Sequence, residues 1–187
     1  MKRGYATSDR KDIERGRRPT LAEIDALTKD LSGDMLLIFQ LALETAMRMR
    51  EMYTLSIDQV DLSKRTVFLN KTKNGDNRQV PLSSTAISLL RARVESGTGL
   101  LLPELSTDAS SLRATTSRIS IAFARAADRA GCPDLRFHDL RHEATCRLFE
   151  RTTMDWLEIS KITGHRDPRM LRRYANLRGS DLAARMW

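Results

Sequence analysis

Apolar positions along the chain change period twice, and those changes mark the elements. Thr20-Leu-Ala-Glu23 is a capping signature in front of Ile24 and Leu27, and a longer apolar segment runs from Met35 to Leu43, so two helices open the domain. After Leu55 the pattern turns to alternation. Thr66-Val-Phe-Leu69 and Arg78-Gln-Val80 flank Lys73-Asn74-Gly75-Asp76, and Asn-Gly between such runs predicts a β-hairpin. From Ser84 the spacing is helical again, over 86–94, then Arg113 to Ala130 closed by Gly131, then around His138 to Phe149, then Trp156 to Ile162. Asp167-Pro168 starts a further short helix that carries Tyr174 near its end, and Ser180 to Trp187 forms a short amphipathic tail. The fold class that follows is α+β, mainly helical, with a small antiparallel sheet.

Length and charge narrow this picture. A chain of 187 residues fits one domain able to bury roughly 70% of its unfolded surface. We place that domain at 20–187, and read residues 1–19, polar and ending in Arg17-Arg18-Pro19, as a flexible basic arm or the end of a linker. With 32 Lys and Arg against 24 Asp and Glu, the net charge is +8, which favours a polyanionic partner through phosphate contacts. Cys132 and Cys146 form neither a disulfide framework nor a cysteine-rich zinc site, and they suit a reducing cytoplasm. No segment has the apolar length of a membrane span, and no apolar run follows the basic N-terminus as a secretory signal requires.

The candidate chemistry is metal-free attack on a phosphodiester. That reaction needs a nucleophile, positive charge around the non-bridging oxygens, and a proton donor for the leaving oxygen. Tyr174 stands nine residues after His165 in a basic segment, and Arg48 and Arg141 offer planar guanidiniums that grip two phosphate oxygens at once. His138 lies three residues before Arg141, on the same helical face. His138 and His142 also stand at a zinc-motif spacing, but Arg141 would crowd a cation and no third ligand is placed, so no metal or other cofactor is expected. Lys73 is the preferred candidate lysine for its place at the hairpin turn. Lys71 faces the same side of a strand and is its alternative.

Four segments carry a resemblance: Thr45-Ala-Met-Arg48-Met-Arg-Glu51, Lys73 with Val80-Pro81-Leu82, His138-Asp-Leu-Arg141-His142, and Gly164-His165 with Tyr174. In this order and spacing they resemble the boxes of the tyrosine recombinases, the phage-integrase family, and the likeness covers nearly everything from Thr20 onward. The resemblance implies an integrase-type catalytic domain in which Tyr174 attacks the scissile phosphate to give a 3′-phosphotyrosyl link. It further implies that Arg48, Arg141 and His165 stabilise charge in the transition state. Lys73 would protonate the departing 5′-oxygen, His138 would help deprotonate the tyrosine, and Glu51 would orient a neighbour. The implied outcome is site-specific recombination of double-stranded DNA by four protomers, with the free domain a monomer or weak oligomer. A type IB topoisomerase-like enzyme and a non-catalytic DNA-binding regulator are the alternatives. Ala46 departs from the family's usual glycine, a mild backbone restriction. Residues 1–19 are too short for the family's N-terminal clamp domain, so the expectation is a catalytic fragment or a short single-domain member.

Overall fold

The computed structural model describes residues 16–70, 77–97, 99–105, 111–165, 167 and 171. Within them lie α1 (Leu21–Asp30), α2 (Gly33–Thr45), α3 (Met49–Tyr53), a 3₁₀ turn (Ile57–Gln59), and the strands β1 (Val60–Asp61), β2 (Thr66–Leu69) and β3 (Arg78–Pro81). Four helices follow: α4 (Ser84–Ser96), α5 (Leu112–Arg129), α6 (Phe137–Arg151) and α7 (Trp156–Thr163). The architecture is α+β and mainly helical, as the spacing indicates.

Helix α1 begins where its capping signature says: Glu23 N donates to Thr20 Oγ1 at 3.2 Å and Thr20 N donates back to Glu23 Oε2 at 2.7 Å. Helix α2 is apolar on most sides because it is the core helix, burying Leu37, Ile38, Phe39, Leu41, Ala42 and Leu43 between α6 and α4. Phe39, Phe123 and Phe137 tie α2, α5 and α6 together, with Phe123 and Phe137 meeting edge to face at a centroid distance of 5.3 Å.

The hairpin expected around Asn74-Gly75 appears as β2 paired antiparallel to β3, Val67 opposite Val80 and Leu69 opposite Arg78; the turn itself lies outside the described residues. A third strand joins it. Sequence spacing misses β1, whose two residues are too few to show an alternation, and it pairs antiparallel with β2 at Val60–Val67. Val67, Leu69 and Val80 turn inward to the core, and the face of β3 that carries Val80 packs toward α7.

The basic arm is held at its end. Arg17 Nε donates to Asp134 Oδ2 at 2.9 Å, and its Nη2 donates to Glu23 Oε1 at 2.5 Å. Arg18 Nε donates to Glu143 Oε2 at 2.7 Å and its Nη1 to Glu150 Oε1 at 2.6 Å, while Pro19 is buried. Arg17 holds the Glu23 carboxyl at about 2, well below the usual carboxylate range. Residues 1–15 lie outside the described residues.

Candidate active site

The last turn of α7 is the centre of the site, for a reason of backbone chemistry. Helix C-termini leave carbonyls without intrahelical partners and carry the negative end of the helix dipole. Here three successive carbonyls are taken by three arginines from three other elements. Arg78 Nε of β3 donates to Ile162 O at 3.1 Å, Arg141 Nη2 of α6 to Thr163 O at 2.5 Å, and Arg48 Nη2, just before α3, to Gly164 O at 3.0 Å. The cations cap the helix, and the helix end fixes the cations.

Gly164 makes the close approach possible. It ends α7 in the left-handed region at φ 70°, its N–H donating to Ser160 O at 2.7 Å, and a Cβ there would stand 3.0 Å from Arg78 Nη1 and 3.4 Å from Arg48 Nη1. Ala46 caps α2 in the same left-handed region, at φ 52°. An alanine in that conformation costs about 1–2 kcal/mol, so the departure from glycine is a real strain at the site rather than a mild restriction. Its carbonyl accepts from Arg141 Nη1. Arg141 is therefore held at both ends of its fork, and its side chain is buried.

Glu51 is the carboxylate that organises the other two arginines. Arg48 N donates to its Oε2 at 2.7 Å and Arg48 Nη1 to its Oε1 at 2.9 Å. Arg78 grips it with a two-pronged fork, Nη1 to Oε1 at 2.9 Å and Nη2 to Oε2 at 2.7 Å. Burial alone would push the Glu51 carboxyl up, but the bonds from Arg78 and then Arg48 outweigh it and leave it below its ordinary value.

His165 follows directly, its N–H donating to Ser160 O at 3.2 Å and its Nδ1 lying 2.7 Å from Thr163 Oγ1. Arg48, Glu51, Arg141 and His165, named from three separate stretches of sequence, thus meet at one helix end. His138 is placed differently: one turn before Arg141 on α6, it is exposed and lines a concavity of about 570 Å³ with Met49, Phe123, Leu135, Arg136 and Phe137. Lys73, its alternative Lys71, and Tyr174 lie outside the described residues. Among the described residues no group of three His, Cys, Asp or Glu side chains could hold a metal ion, and no helix is long and apolar enough to cross a membrane.

Arg78 is a functional candidate that motif reading passes over. A signal was present, because Arg78 and Val80 share one face of β3 and Val80 faces the core. An arginine at a core-facing register position requires a buried partner.

A mainly helical domain of this architecture has counterparts among known proteins. Residues 20–180 match the phage integrase family. The chain is 37% identical over 175 residues to the shufflon-specific DNA recombinase of Escherichia coli, covering 92% of this chain and 43% of that protein. It is 29% identical over 153 residues to tyrosine recombinase XerC of Bifidobacterium longum, covering 75% of this chain and 42% of that protein. Among solved structures it resembles XerA recombinase, with a TM-score of 0.68 at 21% identity, covering 90% of this chain and 62% of that one. It also resembles the catalytic domain of bacteriophage HP1 integrase, with a TM-score of 0.64 at 25% identity over 89% of this chain and 91% of that one. The chain belongs to the phage integrase family. It spans less than half the length of the shufflon-specific recombinase and of the XerC relative.

Proposed function

We propose that residues 20–187 are the catalytic unit of a site-specific DNA recombinase, with residues 1–19 an arm leading into it. The observation that carries this reading is the cluster of Arg48, Arg78 and Arg141 at the end of α7, next to His165, which stands nine residues before Tyr174 in the sequence. Such a cluster is an excess of fixed positive charge suited to a phosphate. Tyr174 Oη attacks the scissile phosphorus, the bond to the 5′-oxygen breaks, and a 3′-phosphotyrosyl link remains. His138 takes the phenolic proton, which a hydroxyl of pKa near 10 does not release unaided at neutral pH. Lys73 gives a proton to the departing 5′-oxygen. Arg48, Arg141 and His165 stabilise the charge that develops on the non-bridging oxygens, and Glu51 holds Arg48. The link conserves bond energy, so rejoining to another 5′-hydroxyl needs no ATP.

The partner is double-stranded DNA, and exchange between two duplexes requires four protomers; the free chain is a monomer or weak oligomer. The shufflon-specific and XerC relatives, recombinases by name, support this reading. The experiment is covalent capture on a pool of nicked duplexes of randomised sequence, in excess EDTA. The wild-type chain should give a slower band on a denaturing gel, and Tyr174→Phe should give none while binding the recovered duplex with nearly unchanged affinity. An adduct formed by Tyr174→Phe would move the nucleophile elsewhere. Strand exchange between two recovered duplexes separates recombination from relaxation alone.

A further inference from the structure

We propose that Arg78 is a positioning residue for the phosphate chemistry: it offsets the charge of Glu51 so that Arg48 meets the phosphate with its own charge unspent. The proposal rests on the reading above and goes beyond it by assigning a role to a residue outside the four motifs.

The geometry sets out a balance of charge. Glu51 is shared by Arg48, through one side-chain bond at 2.9 Å, and Arg78, through two at 2.9 and 2.7 Å. The Arg48–Glu51–Arg78 group therefore carries a net single positive charge. Without Arg78, Arg48 and Glu51 form a neutral pair. The lost charge would fall on the arginine that still reaches outward, since the Arg48 side chain is 27% exposed against 9% for Arg78. The more buried cation serves the carboxylate and the more exposed one is left for a ligand. In a site shielded from water that difference matters more than it does at a surface.

Arg78 has a second attachment that fixes where this offset acts. Its Nε bond to Ile162 O ties β3 to the end of α7, next to the two carbonyls that Arg141 and Arg48 hold. β3 follows the segment of sequence that contains Lys73, and Arg78 joins this strand to the helix that ends in Gly164-His165. A lysine at this position could supply the charge but not the fork and the Nε bond together.

The test uses a duplex recovered by covalent capture with the wild-type chain, and reads single-turnover cleavage and DNA affinity separately. Arg78→Gln should slow cleavage at least about 10-fold while weakening binding much less, because one transition-state contact is disabled rather than the DNA surface. Adding Glu51→Gln to Arg78→Gln restores the net charge and should recover part of that loss. Arg78→Lys should lose only a few-fold. A purely structural role predicts the reverse for the double variant, which would then be no better than Arg78→Gln. That result, or wild-type cleavage by Arg78→Gln, overturns the proposal. Should the Gln variants fail to unfold cooperatively on heating, the folded Arg78→Lys variant decides: a few-fold loss supports the charge offset, and a loss beyond about 10-fold overturns it. If the wild-type chain captures no duplex at all, the recombinase reading itself falls.

Discussion

Two arginine clusters in this molecule look alike in composition and differ in what their charges are used for. At the end of α7, Arg48 and Arg78 share a single carboxylate, Glu51, and all three arginines, Arg141 included, donate to backbone carbonyls. Beside the arm, Arg17, Arg18 and Arg147 meet five carboxylates: Glu23, Asp134, Glu143, Glu150 and Glu44. A carbonyl satisfies a guanidinium's N–H groups without cancelling its charge, whereas a carboxylate cancels it. The first cluster is thus rigid and still cationic, and the second is rigid and saturated. Counting arginines alone would treat them as equals.

The strongest way to break this contrast is to remove one cation from each. Arg141→Ala should reduce DNA cleavage by at least roughly 10²-fold, the loss expected for one transition-state donor, while Arg18→Ala should leave the cleavage rate within about three-fold. Single-turnover assays on a captured duplex check both. Comparable losses from the two variants would erase the distinction.

Backbone conformation sharpens the picture at a smaller scale. Gly164→Ala places a Cβ on a left-handed residue and against Arg78 Nη1, so it should destabilise the fold by about 1–2 kcal/mol and slow cleavage as the arginines shift. Ala46→Gly removes the strain at φ 52° and should stabilise by about 0.5–1 kcal/mol, the gain being reduced by glycine's greater freedom in the unfolded chain. Denaturant titration of the two variants reads both signs.

The smallest expected effect is that of acid and salt. The carboxyls of Glu51, Glu143 and Glu23 lie below their ordinary range, Glu23 at about 2, so each contributes stability that is present above the unfolded value near 4.5 and lost as pH falls through the lowered one. Thermal unfolding should therefore weaken between about pH 5 and pH 2. Added salt should erode the Glu23 contribution, worth no more than about 1 kcal/mol at a solvated site, more than that of the better buried Glu51. Melting series of Glu23→Gln and Glu51→Gln at low and high salt distinguish the two.

Much of this was legible in the sequence because it depends on residue type at fixed spacing. Thr20 and Glu23 announce the start of α1, Asn74-Gly75 the pairing of β2 and β3, and Gly131 the end of α5. In the site, Arg48, Glu51, Arg141 and His165 were legible because each stands at a fixed place in one of the motif segments. Arg78 and Thr163 are harder to read: each is tied in part to a backbone carbonyl, Ile162 O and Ile159 O, which every residue possesses, and no spacing pairs Arg78 with Glu51. A contact to backbone leaves its mark on only one of the two sequences that make it. The strain at Ala46 was hidden for a related reason: the substitution is visible, but the left-handed angle is set by how α2 must turn to deliver Arg48.

The Thr163–His165 contact also bears on which ring nitrogen carries a proton. A hydroxyl has one hydrogen, and Thr163 donates it to Ile159 O at 2.8 Å, which leaves Oγ1 as an acceptor toward His165 Nδ1 at 2.7 Å. In that arrangement Nδ1 carries the hydrogen of the contact, and Nε2 of the neutral ring carries none. Neutral, it presents a lone pair that repels an oxyanion; only the imidazolium can donate from it. A threonine two residues away thereby makes any help that His165 gives a phosphate conditional on the ring being charged.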